Sequence, residues 1–218
     1  MSRLGGAGLF VTFEGVEGSG KTTQARLLLE HLKGRGVPAV LSREPGGTPI
    51  GEKLRAVLLD TGQAGMLATT ELFLYLASRA EHVARVVRPG LERGQVVISD
   101  RYTDASVAYQ GGGRGLGWEV VEPLNRLAVS GVKPDITFLL DLDPELGLAR
   151  LAGAKDRAPR DRIEREAVEF HRRVRAAYLE AAEREPERFV VLDGRRDTAE
   201  IARLVAQRVD DVLTRRGR

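Results

Sequence analysis

Cysteine is absent from the 218 residues, which excludes disulfides, thiolate metal sites and cysteine nucleophiles. Aromatic residues make up only 5% of the chain, with a single Trp. They form no stripe interleaved with basic residues of the kind that grips single-stranded nucleic acid. The three histidines, His31, His82 and His171, are too far apart for a metal-binding motif. No apolar run approaches the ~18 residues of a membrane span. Met1 to Gly8 holds no hydrophobic stretch of signal-peptide length. These absences predict a cytoplasmic protein with neither a membrane nor a nucleic-acid partner. The charge that is present is balanced: a formal net +3 with both signs interspersed. That suits an anionic ligand and is too evenly spread to argue for DNA or RNA.

A chain of this length, 42% hydrophobic, is long enough for one well-buried core, and 1–218 reads as a single domain. Short apolar runs at 9–13, 37–42, 95–99, 135–140 and 189–192 read as strands. Helical periodicity marks 21–34, 50–59, 66–87, 118–129, 146–151, 161–184 and 197–213. Pro89-Gly90 is expected to end the third of these helices, and 111–117 reads as a glycine-rich loop. Mostly apolar strands alternating with helices predict an α/β fold, a five-stranded parallel sheet with helices on both faces.

Gly15-Val16-Glu17-Gly18-Ser19-Gly20-Lys21-Thr22, followed by Thr23, matches G-x-x-x-x-G-K-[ST] between a predicted strand and a predicted helix. The glycines let backbone N–H groups turn inward around phosphate oxygens, and the helix directs its positive end at the same anion. Lys21 adds a mobile charge for the β and γ phosphates, and Thr22 offers a hydroxyl to Mg²⁺. This is a P-loop NTPase signature with ATP as the expected donor. No Asn-Lys-x-Asp segment is present to read guanine.

Two further segments bear on the reaction. Asp100 and Arg101 close the third strand, at the sheet edge where ligands bind in open α/β folds. Asp100 is placed to orient Mg²⁺, and Arg101 to bridge two anionic groups. Residues 152–165 carry Lys155, Arg157, Arg160, Arg162 and Arg165 among the breakers Gly153 and Pro159. They read as a lid that closes positive charge over phosphates.

The strings Phe13-Glu14-Gly15, Arg43-Glu44-Pro45-Gly46-Gly47-Thr48, Asp100-Arg101-Tyr102, Ala108-Tyr109-Gln110-Gly111-Gly112-Gly113-Arg114-Gly115 and Asp161-Arg162-Ile163-Glu164, in this order and spacing, resemble the thymidylate kinases. The resemblance runs from about residue 9 to 193. It implies transfer of the γ-phosphate of ATP to dTMP, with Mg²⁺, in a homodimer. It implies Arg43, Arg55 and Arg101 at the acceptor phosphate, and Glu17 near the sugar 3′-OH or the metal. Tyr75 would stack on the pyrimidine, with Phe73 as a competitor, and Arg79 would bond its O4. Ser106 and Gln110 would contact the base, and Tyr109 would lie beneath the deoxyribose. Positions 16–19 hold no Arg, so a lid residue would supply the catalytic guanidinium, with Arg157, Arg160 and Arg162 as candidates. A kinase for another monophosphate or a deoxynucleoside, or a P-loop switch ATPase, are the rival readings.

Overall fold

The computed structural model describes residues 8–153 and 159–217. Five strands, β1 (Leu9–Glu14), β2 (Ala39–Arg43), β3 (Val96–Asp100), β4 (Ile136–Asp141) and β5 (Phe189–Asp193), form one parallel sheet in the order β2-β3-β1-β4-β5. All six residues of β1 are buried. Leu9, Val11 and Phe13 pack on one face with Ala25, Leu28 and Leu32 of helix α1 (Lys21–Gly34) and Val205 and Val209 of the C-terminal helix Thr198–Arg215. Phe10 faces the other way, toward Val83, Val87 and Tyr102. Each such side chain contributes about 1.5–3 kcal/mol when fully buried, which explains why this strand carries no apolar-polar alternation.

The connection after β1 runs through α1 on one face. The connection after the neighbouring β3 runs to α6 (Trp118–Val129), whose Val121 and Val129 belong to clusters on the other. Adjacent parallel strands whose connections leave to opposite faces open a crevice at their carboxyl ends. Glu14 and Asp100 end those two strands.

The parallel sheet is as expected; several helix boundaries are not. The helix Ala68–His82 (α3) does not stop at Pro89-Gly90. It passes through a π-helical turn, Val83–Val87, into α4 (Arg88–Glu92), because Pro89 falls in that helix's first turn, where a missing N–H costs little. Residues 161–167 lie ahead of α8 (Val168–Arg184) rather than within it. Asp161 and Glu164 instead cap one another, Asp161 N to Glu164 Oε2 at 3.1 Å and Glu164 N to Asp161 Oδ1 at 2.9 Å. Nor are Gly111–Gly113 a loop: α5 (Thr103–Ser106) continues into a π-helical turn, Val107–Gly113. A Cβ at Gly112 would stand 2.6 Å from the Ala177 methyl, and one at Gly113 2.6 Å from the Phe170 ring. Glycine here permits close approach to α8 rather than a turn. Helices α2 (Pro49–Leu59) and α7 (Pro144–Gly153) complete the walls of the crevice. No helix among the described residues is long and apolar enough to cross a membrane.

Candidate active site

The crevice is a cleft of about 450 Å³. Its floor is the P-loop. Gly15 and Gly18 have φ of 137° and 70°, values that a residue with a Cβ resists. A Cβ on Gly18 would also meet the carbonyl oxygen of Gly147 on α7 at 2.1 Å. Val16 is anchored in the core, while Gly20 and Thr23 face outward. Lys21 is buried, and its Nζ donates to Val16 O at 2.6 Å and to Ser19 Oγ at 3.2 Å. Burial and the neighbouring Arg101 push its pKa down to about 8, against the attraction of Glu17, Asp100 and Glu14. Thr22 Oγ1 donates to Asp100 Oδ2 across the crevice. The two residues expected near the metal therefore meet.

Arg101 holds a left-handed backbone, φ 73°, which is uncommon outside glycine and marks functional sites. The turn sends its side chain back over β1. Nη1 donates to Gly15 O at 3.0 Å and Nη2 to Glu17 Oε1 at 2.8 Å, with the guanidinium 4.9 Å from the Tyr109 ring centre. Burial opposes its charge, but Tyr109 and Glu17 outweigh burial and raise its pKa further. Tyr109 Oη donates to the same Glu17 oxygen at 2.6 Å. On the other oxygen, His171 Nδ1 stands 3.2 Å away, within ion-pair reach but off the line of a hydrogen bond. Burial would push the Glu17 carboxyl up, yet His171, Arg101, Lys21 and Tyr109 together hold it well below the carboxylate range.

The far wall carries the residues expected around the acceptor. Arg43 and Arg55 line the cleft. Arg43 Nη2 donates to Glu52 Oε2 at 2.9 Å, and Arg55 Nη1 to Pro45 O at 3.0 Å. Tyr75, Ser106, Tyr109 and Gln110 line it too. Phe73 is 59% exposed and is not part of the lining, so Tyr75 is the aromatic presented to the cleft.

Two residues are not where they were expected. Arg79 is 1% exposed and sits behind the wall. Its guanidinium bonds Glu44 Oε2 (2.7 Å), Ser106 Oγ (2.8 Å), Asn125 Oδ1 (2.6 Å) and Tyr102 O (2.8 Å). It supports Ser106 rather than entering the cleft, because a wholly buried cation needs this set of partners. Arg162 is likewise buried, with Nη1 2.6 Å from Glu71 and Nε 2.9 Å from Leu58 O. Its charge is spent there rather than aimed at the donor phosphates. Arg160 is exposed. Arg157, the third lid candidate, lies outside the described residues, as does Lys155.

The site also uses residues that the sequence reading passed over. Glu14, buried at the end of β1, accepts from Tyr102 N and Tyr178 Oη, each at 2.7 Å. Burial, with Asp104 nearby, raises its pKa to about 7. Its signal was an acid closing an apolar strand. His171 and Tyr178 lie seven residues apart on one face of α8; that spacing was visible within a helix read as merely charged.

Comparisons with known proteins point to a single family. A family model described as thymidylate kinase matches residues 13–205. A thymidylate kinase of Symbiobacterium thermophilum is 48% identical over 210 residues, covering 96% of each chain. One of Desulfovibrio desulfuricans is 46% identical over 215 residues, covering 96% of this chain and 99% of its own. The crystal structure of thymidylate kinase from Ehrlichia chaffeensis superposes with a TM-score of 0.72 at 36% identity, over 95% of this chain and 99% of that one.

Proposed function

This chain belongs to the thymidylate kinase family and transfers the γ-phosphate of ATP to dTMP, giving dTDP and ADP, and we propose that it does so across the cleft between the P-loop and the wall formed by Arg43, Arg55 and Tyr75. The observation that carries this placement is Arg101, whose guanidinium reaches from the end of β3 to Gly15 and Glu17. It stands where a donor phosphate on the loop and an acceptor phosphate near Arg43 and Arg55 would meet.

The P-loop amides and Lys21 cradle the ATP phosphates, and the Lys21 ammonium exchanges Val16 O for phosphate oxygen. Arg43 and Arg55 hold the dTMP phosphate. Tyr75 stacks on the base, Ser106 and Gln110 border it, and Tyr109 lies under the sugar. Glu17, kept ionised and fixed by Tyr109 and Arg101, accepts the 3′-OH. A phosphate oxygen of dTMP attacks the γ-phosphorus in line. The new P–O bond forms as the bond to the β-phosphate oxygen breaks, and Arg101 neutralises charge on both groups. The acceptor phosphate is already largely ionised near pH 7, so no general base is needed.

Thr22 and Asp100 offer two hard oxygens, close together at the phosphate end of the crevice. No group of three or more acidic, His or Cys side chains placed to hold a metal ion occurs among the described residues. This donor set fits Mg²⁺, which takes one or two protein oxygens and completes its shell with phosphate and water. Bound there, Mg²⁺ would neutralise charge on the β and γ phosphates. Since Arg162 is committed to Glu71, the lid guanidinium comes from Arg157 or Arg160. Leu67, Phe73, Val120 and Leu127 are exposed on and beside α3 and α6, which supports a homodimer through these helices. A cytoplasmic site of action follows from the substrates.

A coupled assay of ADP release with dTMP, dUMP, CMP, AMP and GMP tests the assignment. Turnover led by dTMP is expected. Equal rates with a purine monophosphate, or hydrolysis indifferent to any acceptor, would overturn it.

A further inference from the structure

Glu71 lies on α3 one turn before Tyr75 and is fully shielded from solvent. Side chains from two other parts of the chain converge on its carboxylate. From the π-helical turn and the residue after it, Gln110 Nε2 donates to Oε1 at 2.8 Å, and Arg114 bonds both oxygens, with Nε 3.1 Å from Oε1 and Nη2 3.0 Å from Oε2. From the capped turn before α8, Arg162 Nη1 lies 2.6 Å from Oε2. Arg114 also pairs with Glu166 at 2.7 Å, so two cations and two anions balance. Burial would raise the Glu71 pKa, but Arg114, Gln110 and Arg162 lower it.

An ionised carboxylate accepts hydrogen bonds and donates none. Gln110 can therefore meet Glu71 only through its NH₂ group, which removes the usual ambiguity in the direction of an amide. Arg114 and Arg162, gripping the carboxylate from two sides, prevent it from turning away. The amide oxygen of Gln110 is left as the atom available to the cleft that the residue lines.

We propose that Glu71 is a positioning residue: it locks the Gln110 amide with its oxygen toward the acceptor base, so that the cleft accepts a pyrimidine bearing a hydrogen on N3 and rejects one with a lone pair there. This rests on the placement of the acceptor base beside Gln110 given above. Thymine and uracil carry N3–H. Cytosine presents an unprotonated N3, which would face the Gln110 oxygen with no proton between them. A site built around one hydrogen-bond polarity rejects the wrong one because a buried group is left unpaired.

Glu71→Gln replaces the acceptor with an amide that pairs with Gln110 in either direction, so Gln110 is free to flip. Steady-state kinetics with dTMP, dUMP and dCMP, alongside melting temperatures, test the proposal. Glu71→Gln is expected to raise KM for dTMP about tenfold with kcat within about twofold. It should also narrow the dTMP to dCMP ratio of kcat/KM by at least about tenfold. The dTMP to dUMP ratio, set by the 5-methyl group, stays unchanged, and Glu71→Asp restores the dTMP to dCMP ratio. A carboxylate that served only to neutralise Arg114 and Arg162 would change the melting temperature and leave the preference among bases intact; that result overturns the proposal. Gln110→Leu keeps the arginine pairs of Glu71 and serves if Glu71→Gln does not fold. A ratio narrowed by a similar factor supports the proposal, and an unchanged one refutes it. A wild-type enzyme with no preference for dTMP over dCMP would instead refute the placement of the base itself.

Discussion

The Lys21 ammonium donates to the carbonyl oxygen of Val16 at 2.6 Å, so the cation of the P-loop is held by the loop's own backbone. Burial and Arg101 hold its pKa down at about 8, against the attraction of Glu17, Asp100 and Glu14. ATP binds the protonated form and takes up a proton as pH exceeds that value. Affinity for ATP, measured calorimetrically, is therefore expected to fall as pH rises through about 8, weakening roughly tenfold by pH 9. Lys21→Ala should abolish this dependence together with most turnover. An affinity that stays flat between pH 7 and 9 would contradict the proposed exchange of partners.

Arg101 combines a functional side chain with an unfavourable backbone, φ 73°. Arg101→Ala and Arg101→Gly both remove the guanidinium, and kcat should drop by about two orders of magnitude or more in each. They differ only in the backbone. The glycine variant should be the more stable by about 1 kcal/mol, or roughly 2–4 °C in Tm for a chain of this size. Equal melting temperatures would mean that the left-handed turn carries no strain.

The contact between Thr22 and Asp100 predicts a shared defect. Thr22→Ala and Asp100→Asn should each raise the Mg²⁺ concentration for half-maximal rate by about tenfold, with KM for dTMP little changed. Chelation of the metal should stop turnover of the native enzyme without unfolding it. A variant whose defect appears in KM for dTMP alone would remove that residue from the metal's surroundings.

Glu14 couples pH to stability. Its folded pKa, about 7, lies above the ordinary 4.5 because of burial and the nearby Asp104. The folded state thus holds a proton that the unfolded chain releases, and this contribution fades as pH rises from about 4.5 through 7. The whole effect is at most about 3 kcal/mol. Glu14→Gln, which stays neutral, should flatten the decline in Tm between pH 5 and 8. If the native and variant slopes match, the carboxyl is not protonated in the fold.

The parallel sheet was legible because strands covered on both faces read as continuous apolar runs, and β1 is such a run. The phosphate cradle was legible because its spacing is dictated by backbone geometry. What escaped detection depends on which side chains are buried together. Arg162 looked like a mobile lid cation because the sequence does not reveal that Glu71, some ninety positions away, is buried opposite it. Arg79 was assigned to the base for a similar reason: its place one turn beyond Tyr75 is local, whereas the four partners that hold it behind the wall are not. Gly111–Gly113 read as a loop because composition alone does not distinguish a glycine that permits turning from one that permits close contact.

The two glycines facing Ala177 and Phe170 set the width of the chamber from outside it. Helix α8 sets His171 against Glu17 and Tyr178 against Glu14 from behind the cleft, and its distance from the opposite wall is fixed by hydrogen atoms where any other residue would have a methyl group. A single added carbon at Gly112 would wedge that helix outward and draw both side chains away from Glu17 and Glu14 without altering any group that meets a nucleotide. The catalytic spacing is thus maintained at a seam on the reverse of the pocket, and loss of activity from substitutions there would look like a chemical defect while being one of fit.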